Sequence, residues 1–378
     1  MAILFFLEQH MSIPLSLALS AALVVAGCTL PTKAHDEMPS RESPLGELRG
    51  MSFVSWDRDG YGSADALHSL ERIKGIGATW IAVTPTWYVS GLTASSISPD
   101  YVRSPSDEAV LSAIRSAQRL GLRVFLKPHV DVADGRWRGL IAPEDIEGWF
   151  RSYRLFLEHY AAIARDARVE LLTVGVELKS LSGLPFRQQW VSLIDDVRRT
   201  FGGKLTYAAN FDEYRAVSFW RELDLVGIDG FFPLSSAAGG KETEIVFGWQ
   251  SWLADISGWL LVDSGVAGKP VMFSEIGYAS QPGCAVEPWR KEPAGRVDEE
   301  EQAHAYAAAL KVLKRQQWLA GMFWWNWPAE GAAEIYRNDY TPEGKKAEAV
   351  LLTAWRARPV LFAAGAGRIE MSDKNQGD

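Results

Sequence analysis

An α/β fold built as a single (β/α)8 barrel is what this chain predicts, on three observations. Apolar runs of strand length alternate with amphipathic runs of helical period between Leu48 and Trp355, and the alternation counts eight β/α units. The strand runs are apolar throughout, as a parallel sheet covered on both faces requires. Eight units in roughly 310 residues is also an ordinary size for such a barrel. A doubly wound open sheet is the rival; it calls for a glycine-rich phosphate loop after its first strand, and none stands there.

Residues 48–56 form the first expected strand, with the amphipathic run 64–75 behind it. The second strand is 79–84; Ser106-Asp107-Glu108 then opens a helix as a capping signature, and that helix runs to Leu120. Strand three is 122–130, followed by the long helical pattern 143–165. Strand four is 169–176, and helix 185–200 carries Pro185 in its first turn, where the missing N–H does no harm. Strand five is 204–210 and strand six is 223–230, trailed by helix 244–262. Strand seven is 270–274, and its helix, 298–317, opens on Asp298-Glu299-Glu300-Glu301, where negative charge suits the helix dipole. Strand eight is 321–327, and 342–355 closes the barrel, which spans 47–358 and leaves 359–378 as a loosely held tail.

The N-terminus reads as an address. An apolar run from Met11 to Gly27 ends in small residues, so 1–27 is expected to be a secretory signal peptide, too short and wrongly flanked for a spanning helix. Val25-Ala26-Gly27-Cys28 resembles a bacterial lipoprotein processing site, with Cys28 as the lipid-bearing residue; no Lys or Arg precedes the apolar run, which departs from that pattern. Residues 28–46 are rich in Pro and charge and read as a flexible tether. The expectation is an exported lipoprotein facing the periplasm or cell exterior, touching membrane only through its lipid anchor. The alternative is a plainly secreted protein in which Cys28 has no role.

Composition excludes several classes. A net charge of −8 argues against nucleic acid as a partner. Two cysteines, Cys28 and Cys284, make no disulfide framework, and Cys284 reads as an unpaired thiol. No CxxC, HExxH, GxSxG, Walker A or GxGxxG occurs, so neither a metal nor an organic cofactor is expected. Sixteen Trp point to flat ligand-stacking surfaces, with core packing as their other use.

In a barrel of this kind the chemistry sits at the carboxyl ends of the strands. Two strands deliver a lone carboxylate there: Leu171 to Val176 leads to Glu177, and Val271 to Ser274 leads to Glu275. Paired carboxylates across a pocket are the equipment of glycosidic bond hydrolysis; the alternative is two ordinary strand-end residues. Polar and aromatic residues gather at the same rim. Trp325 is the expected platform beneath the sugar, and Trp56, Trp87 and Trp327 are either flanking subsites or core. Lys127 either binds a hydroxyl or pairs with Asp131. His129 and Asp131 lie two apart on one strand face and can hold hydroxyls, orient the carboxylates or, less simply, share a metal. Asn210 is a hydroxyl ligand or a loop cap, and Asp229 and Tyr278 complete the candidate sugar contacts.

Six segments carry a resemblance: Gly50-Met51-Ser52-Phe53, Lys127-Pro128-His129-Val130, Gly175-Val176-Glu177, Gly227-Ile228-Asp229, Ser274-Glu275-Ile276-Gly277 and Phe323-Trp324-Trp325. A Glu ending strand four and another ending strand seven resemble the large clan of retaining glycoside hydrolases. Within it the segments are similar to family 113, whose described members are β-mannanases. The resemblance implies a TIM barrel with Glu177 as acid/base and Glu275 as nucleophile, acting on β-1,4-mannan, manno-oligosaccharides or another β-glycan. The chain departs from the clan twice. Val176 stands where an Asn usually precedes the acid/base, and Phe231 and Phe232 stand where a Tyr often lies near the nucleophile, leaving Tyr278 as the candidate substitute. A tethered barrel that binds glycan without cutting it is the alternative those departures favour; a hydrolase using a metal on His129 and Asp131 is the third.

Overall fold

Alternation along each strand decides what the barrel holds. In β5 (Arg123–Leu126), Val124 and Leu126 face the helices while Phe125 turns inward, where it meets Trp80, Leu171, Met272 and Phe323 from other strands. That interior cluster plugs the barrel below the site. The Phe323 ring occupies the space where Gly50 has no side chain: a Cβ there would lie 2.2 Å from the ring. The structure, a computed structural model, describes residues 47–292, 295–331 and 337–356. The expected signal peptide, Cys28, the tether and the tail at 359–378 lie outside the described residues. All described residues fall within one unit, Ser40–Asp378.

Eight parallel strands close in the order β1-β11-β10-β9-β8-β7-β5-β2. They are β1 (Leu48–Val54), β2 (Trp80–Val83), β5, β7 (Leu171–Val176), β8 (Lys204–Asn210), β9 (Val226–Asp229), β10 (Val271–Ile276) and β11 (Leu319–Pro328). The fold is therefore the expected (β/α)8 TIM barrel. Seven α-helices are described around it: α1 (Ala64–Gly75), α2 (Asp107–Arg119), α3 (Ile146–Asp166), α4 (Arg187–Thr200), α5 (Glu242–Val262), α6 (Glu299–Leu313) and α7 (Lys346–Arg356). Four open on a side chain that accepts a backbone N–H: Ser63, Ser106, Asp145 and Asp298. Between β8 and β9 only a short 3-10 turn, Trp220–Glu222, is formed. None of the described helices is long and apolar enough to cross a membrane.

Two strand boundaries differ from expectation. Strand three is not continuous: β5 stops at Leu126, and β6 (His129–Val132) leaves the barrel after Pro128, which has no N–H to offer a ladder. β6 instead pairs with β3 (Thr86–Val89), which pairs with β4 (Ile97–Ser98). This three-stranded sheet stands at the carboxyl end of β2 and β5. Strand seven runs on to Ile276, so Glu275 belongs to β10 itself.

Candidate active site

Following the same alternation upward, Lys127 continues the inward face of Phe125, and Asp229 ends the inward face of β9. Both side chains are wholly buried. Lys127 Nζ lies 3.1 Å from Asp229 Oδ1 and 2.5 Å from Glu275 Oε1. Ser274 Oγ donates to Asp229 Oδ1 at 2.7 Å, and Lys127 Nζ reaches the Ser274 carbonyl at 3.5 Å. One buried ammonium thus bridges two carboxylates. Such an arrangement holds together only because each charge has a partner.

Glu177 stands one residue past β7, with a left-handed backbone at φ 50°. Its N–H donates to Ala208 O at 2.8 Å, and Trp137 Nε1 donates to its Oε2 at 3.1 Å. Burial first and the charge of Asp229 second raise its carboxyl above the ordinary range, against the pull of Arg138, Trp137 and Lys127. Burial and Asp229 also raise Glu275, Lys127 opposes them, and the charge of Glu177 adds to the rise. Two buried carboxyls that feel one another favour holding a proton between them. Lys127 touches Glu275, while Glu177 has no cation in contact among the described residues; the contact favours the ionised form of Glu275 against the burial that raises its pKa to about 8.

Arg138, from the 3-10 turn Arg138–Leu140, adds a second ionic group. Its Nη2 lies 2.8 Å from Asp131 Oδ1, and its Nη1 lies 2.7 Å from His129 Nδ1. A guanidinium can only donate, so His129 Nδ1 accepts and the ring proton sits on Nε2. Burial, then Arg138 and Lys127, hold the His129 pKa well below its usual value, and the ring is neutral. Its Nε2 is 3.8 Å from Glu275 Oε1 and makes no hydrogen bond among the described residues. The His129 ring lies nearly parallel to Trp325, at 8° and 6.1 Å. Trp325 in turn meets the half-exposed Trp56 edge-on at 6.4 Å. Beside them opens a cleft of about 650 Å³ lined by Trp56, Tyr88, Arg103, Asp131, Trp137 and Arg138.

The comparisons with known proteins bear on this geometry. The model of Glycoside Hydrolase Family 113 matches residues 51–345, most of the chain. The chain belongs to that family. This family 113 chain is a glycoside hydrolase, and solved structures agree with its fold. A family 113 β-1,4-mannanase solved as a complex is 24% identical, with a TM-score of 0.74 over 82% of this chain and 99% of the other. The family 113 β-mannanase AaManA from Alicyclobacillus acidocaldarius, in complex with ManMIm, is 27% identical, with a TM-score of 0.74 over 82% and 98%. A family 2 β-galacturonidase from Eisenbergiella tayi shares the fold alone, at 15% identity and a TM-score of 0.56 over 82% of this chain and 51% of the other. No curated protein sequence matches the chain.

Within this family 113 barrel, the structure brings Glu177, Glu275, Lys127, His129, Trp325 and Trp56 to one place. It sends other candidates elsewhere. Lys127 pairs with Asp229 and Glu275 rather than Asp131, whose partner is Arg138. Asp229 is wholly buried beneath Lys127 and Ser274 and reaches no substrate. Asn210 is the loop cap: its Oδ1 accepts from Phe211 N–H at 2.9 Å and its Nδ2 donates to Asp212 at 3.0 Å. Trp87 faces away from Tyr88, as neighbours on a strand must, and packs on Phe156, His159 and Tyr160 of α3. Trp327 is buried with Arg72 of α1 over its ring at 5.3 Å. A bulge explains the difference from Trp325: Met51 pairs with Trp324 and Phe53 with Trp327, so one extra residue in β11 puts Trp325 and Trp327 on different sides of the strand. Tyr278 is buried against Tyr306 of α6, and Lys127 is what contacts Glu275. The metal pair fails on charge, since the Arg138 guanidinium sits between His129 and Asp131. Among the described residues no group of three His, Cys, Asp or Glu could hold a metal ion.

Reading the sequence missed Arg138 and Trp137. Both come from a loop with no periodicity of its own, and their neighbourhood in Arg136-Trp137-Arg138 was the one available signal. The Tyr340 ring meets Phe231 edge-on at 6.1 Å, which puts a Tyr beside the residue that stands in the clan's Tyr region.

Proposed function

We propose that this hydrolase cleaves β-1,4-linked mannan or manno-oligosaccharides by double displacement with retention of configuration. Glu275 attacks the anomeric carbon while Glu177 protonates the departing glycosidic oxygen; Glu177 then takes a proton from water, which releases the sugar from Glu275. The observation that carries this reading is the asymmetry of the pair. Lys127 contacts Glu275 at 2.5 Å and favours its ionised form, while Glu177, among the described residues, accepts an indole N–H and has no cation in contact. Val176 offers no polar group, and the donor in contact with Glu275 is the Lys127 ammonium rather than a Tyr hydroxyl. Mannan is favoured because the two family 113 structures are named as β-mannanases.

The test is reducing-sugar release from mannan, glucan and xylan by the wild type, Glu177→Gln and Glu275→Gln, with the first-formed anomer read by NMR. Mannan is expected to be cleaved best, with the β-anomer formed first and each variant slowed by roughly a thousandfold. An inverted product, or a Glu275→Gln enzyme at full rate, sinks the mechanism. Preference for glucan or xylan sinks the substrate alone.

A further inference from the structure

One aromatic side chain at the carboxyl face has no part in the carboxylate cluster. Trp289, in the segment after β10, is 48% exposed, yet its ring lies flat on Phe211 at 5.2 Å and 15°. The backbone around it is braced on both sides. Tyr340 Oη donates to Pro288 O at 2.8 Å. The buried Gln281 donates through Nε2 to Arg290 O at 3.0 Å and accepts from Glu292 N–H at 3.0 Å. Phe211, the first residue past β8, packs on the cluster of Phe231, Ala279 and Tyr340, and Trp325 packs on that same cluster. Trp325 therefore neighbours Trp56 and His129 and also packs on the cluster that carries the Phe211–Trp289 stack.

A large apolar ring held still in water gains nothing for the fold from its exposed face. It does suit a ligand with a flat apolar side, because little motion is lost on binding. A pyranose ring has such a side in its C–H groups. We propose that the exposed face of Trp289, fixed on Phe211, is a platform for a sugar ring beyond the one at the carboxylates, so that this enzyme reads the length of its glycan there. The inference rests on the glycan-cleaving reading above and extends the site past the catalytic pair.

The experiment compares Trp289→Ala and Trp289→Phe with the wild type on mannohexaose and on the shortest manno-oligosaccharide that the wild type cleaves. The ratio of kcat/KM for the long substrate to that for the short one is expected to fall about tenfold in Trp289→Ala and to stay within about threefold in Trp289→Phe. A loss equal at both lengths, or none, overturns the platform. Calorimetry of mannohexaose on Glu275→Gln with and without Trp289→Ala separates this from the hydrolytic reading. About a tenfold weaker affinity supports the platform even if the wild type cleaves nothing, and an unchanged affinity overturns it whatever the wild type cleaves.

Discussion

Lys127 is where the charge of the site is decided. Its place inside the barrel follows from two-residue alternation with Phe125, and its ammonium serves Asp229 and Glu275 together. Lys127→Met keeps much of the stem and removes the charge. Glu275, already raised by burial and by Asp229, then rises further. On the proposed mechanism Glu275 must be ionised, so activity is lost as pH falls through its pKa. The acidic limb of kcat/KM is therefore expected to move up by roughly one pH unit or more. A limb that stays in place would show that Lys127 does not set this charge. Glu177 and Glu275 were legible in the sequence because a lone carboxylate after a short apolar run is conspicuous. Arg138 and Trp137 were not, because a loop residue declares its position only after the chain has folded.

Among the elements, the ends of β7 and β8 hold Glu177 in place. Leu178 N–H donates to Tyr207 Oη at 2.8 Å, and that hydroxyl donates to Glu213 Oε1 at 2.6 Å. Glu213 Oε2 accepts Asn210 N–H at 2.9 Å. Burial pushes the Glu213 pKa up to about 7, against the hydrogen bonds that pull it down. Tyr207→Phe frees the amide next to Glu177 and takes one hydrogen-bond donor from the buried Glu213. It is expected to cost about 1–3 kcal/mol of stability. It should also lower kcat by roughly tenfold with little change in KM, since on the proposed mechanism Glu177 is mispositioned rather than the sugar. A loss of stability with kcat intact would confine the network to structure. The helices opening at Ser106 and Asp298 could be read in advance because a capping residue or an acidic first turn is a local signal. The break at Pro128 was not legible because apolar residues continue on both sides of it, and β3 was not because its partners are the two-residue β4 and β6, which pairs Thr86 with the distant His129.

At the scale of the whole molecule, the eight-strand count survived those local errors. Continuous apolar runs identify parallel strands even when their ends are misplaced, and the closed order β1-β11-β10-β9-β8-β7-β5-β2 needs only that number and the helices between. What the pattern could not show is which rim residues face the cleft, because bulges such as the one in β11 change the side on which a residue emerges. The same holds for Glu177, whose φ of 50° is a conformation that glycine adopts freely and glutamate does not. Glu177→Gly relieves about 1–2 kcal/mol of that backbone preference and removes a buried carboxyl, so the melting temperature is expected to rise by a few degrees while hydrolysis disappears. A melting temperature that falls would mean the turn is held comfortably as it stands. If it rises, a collection of variants sorted by endurance alone would drift toward barrels that outlast this one in the heat and leave every polysaccharide whole.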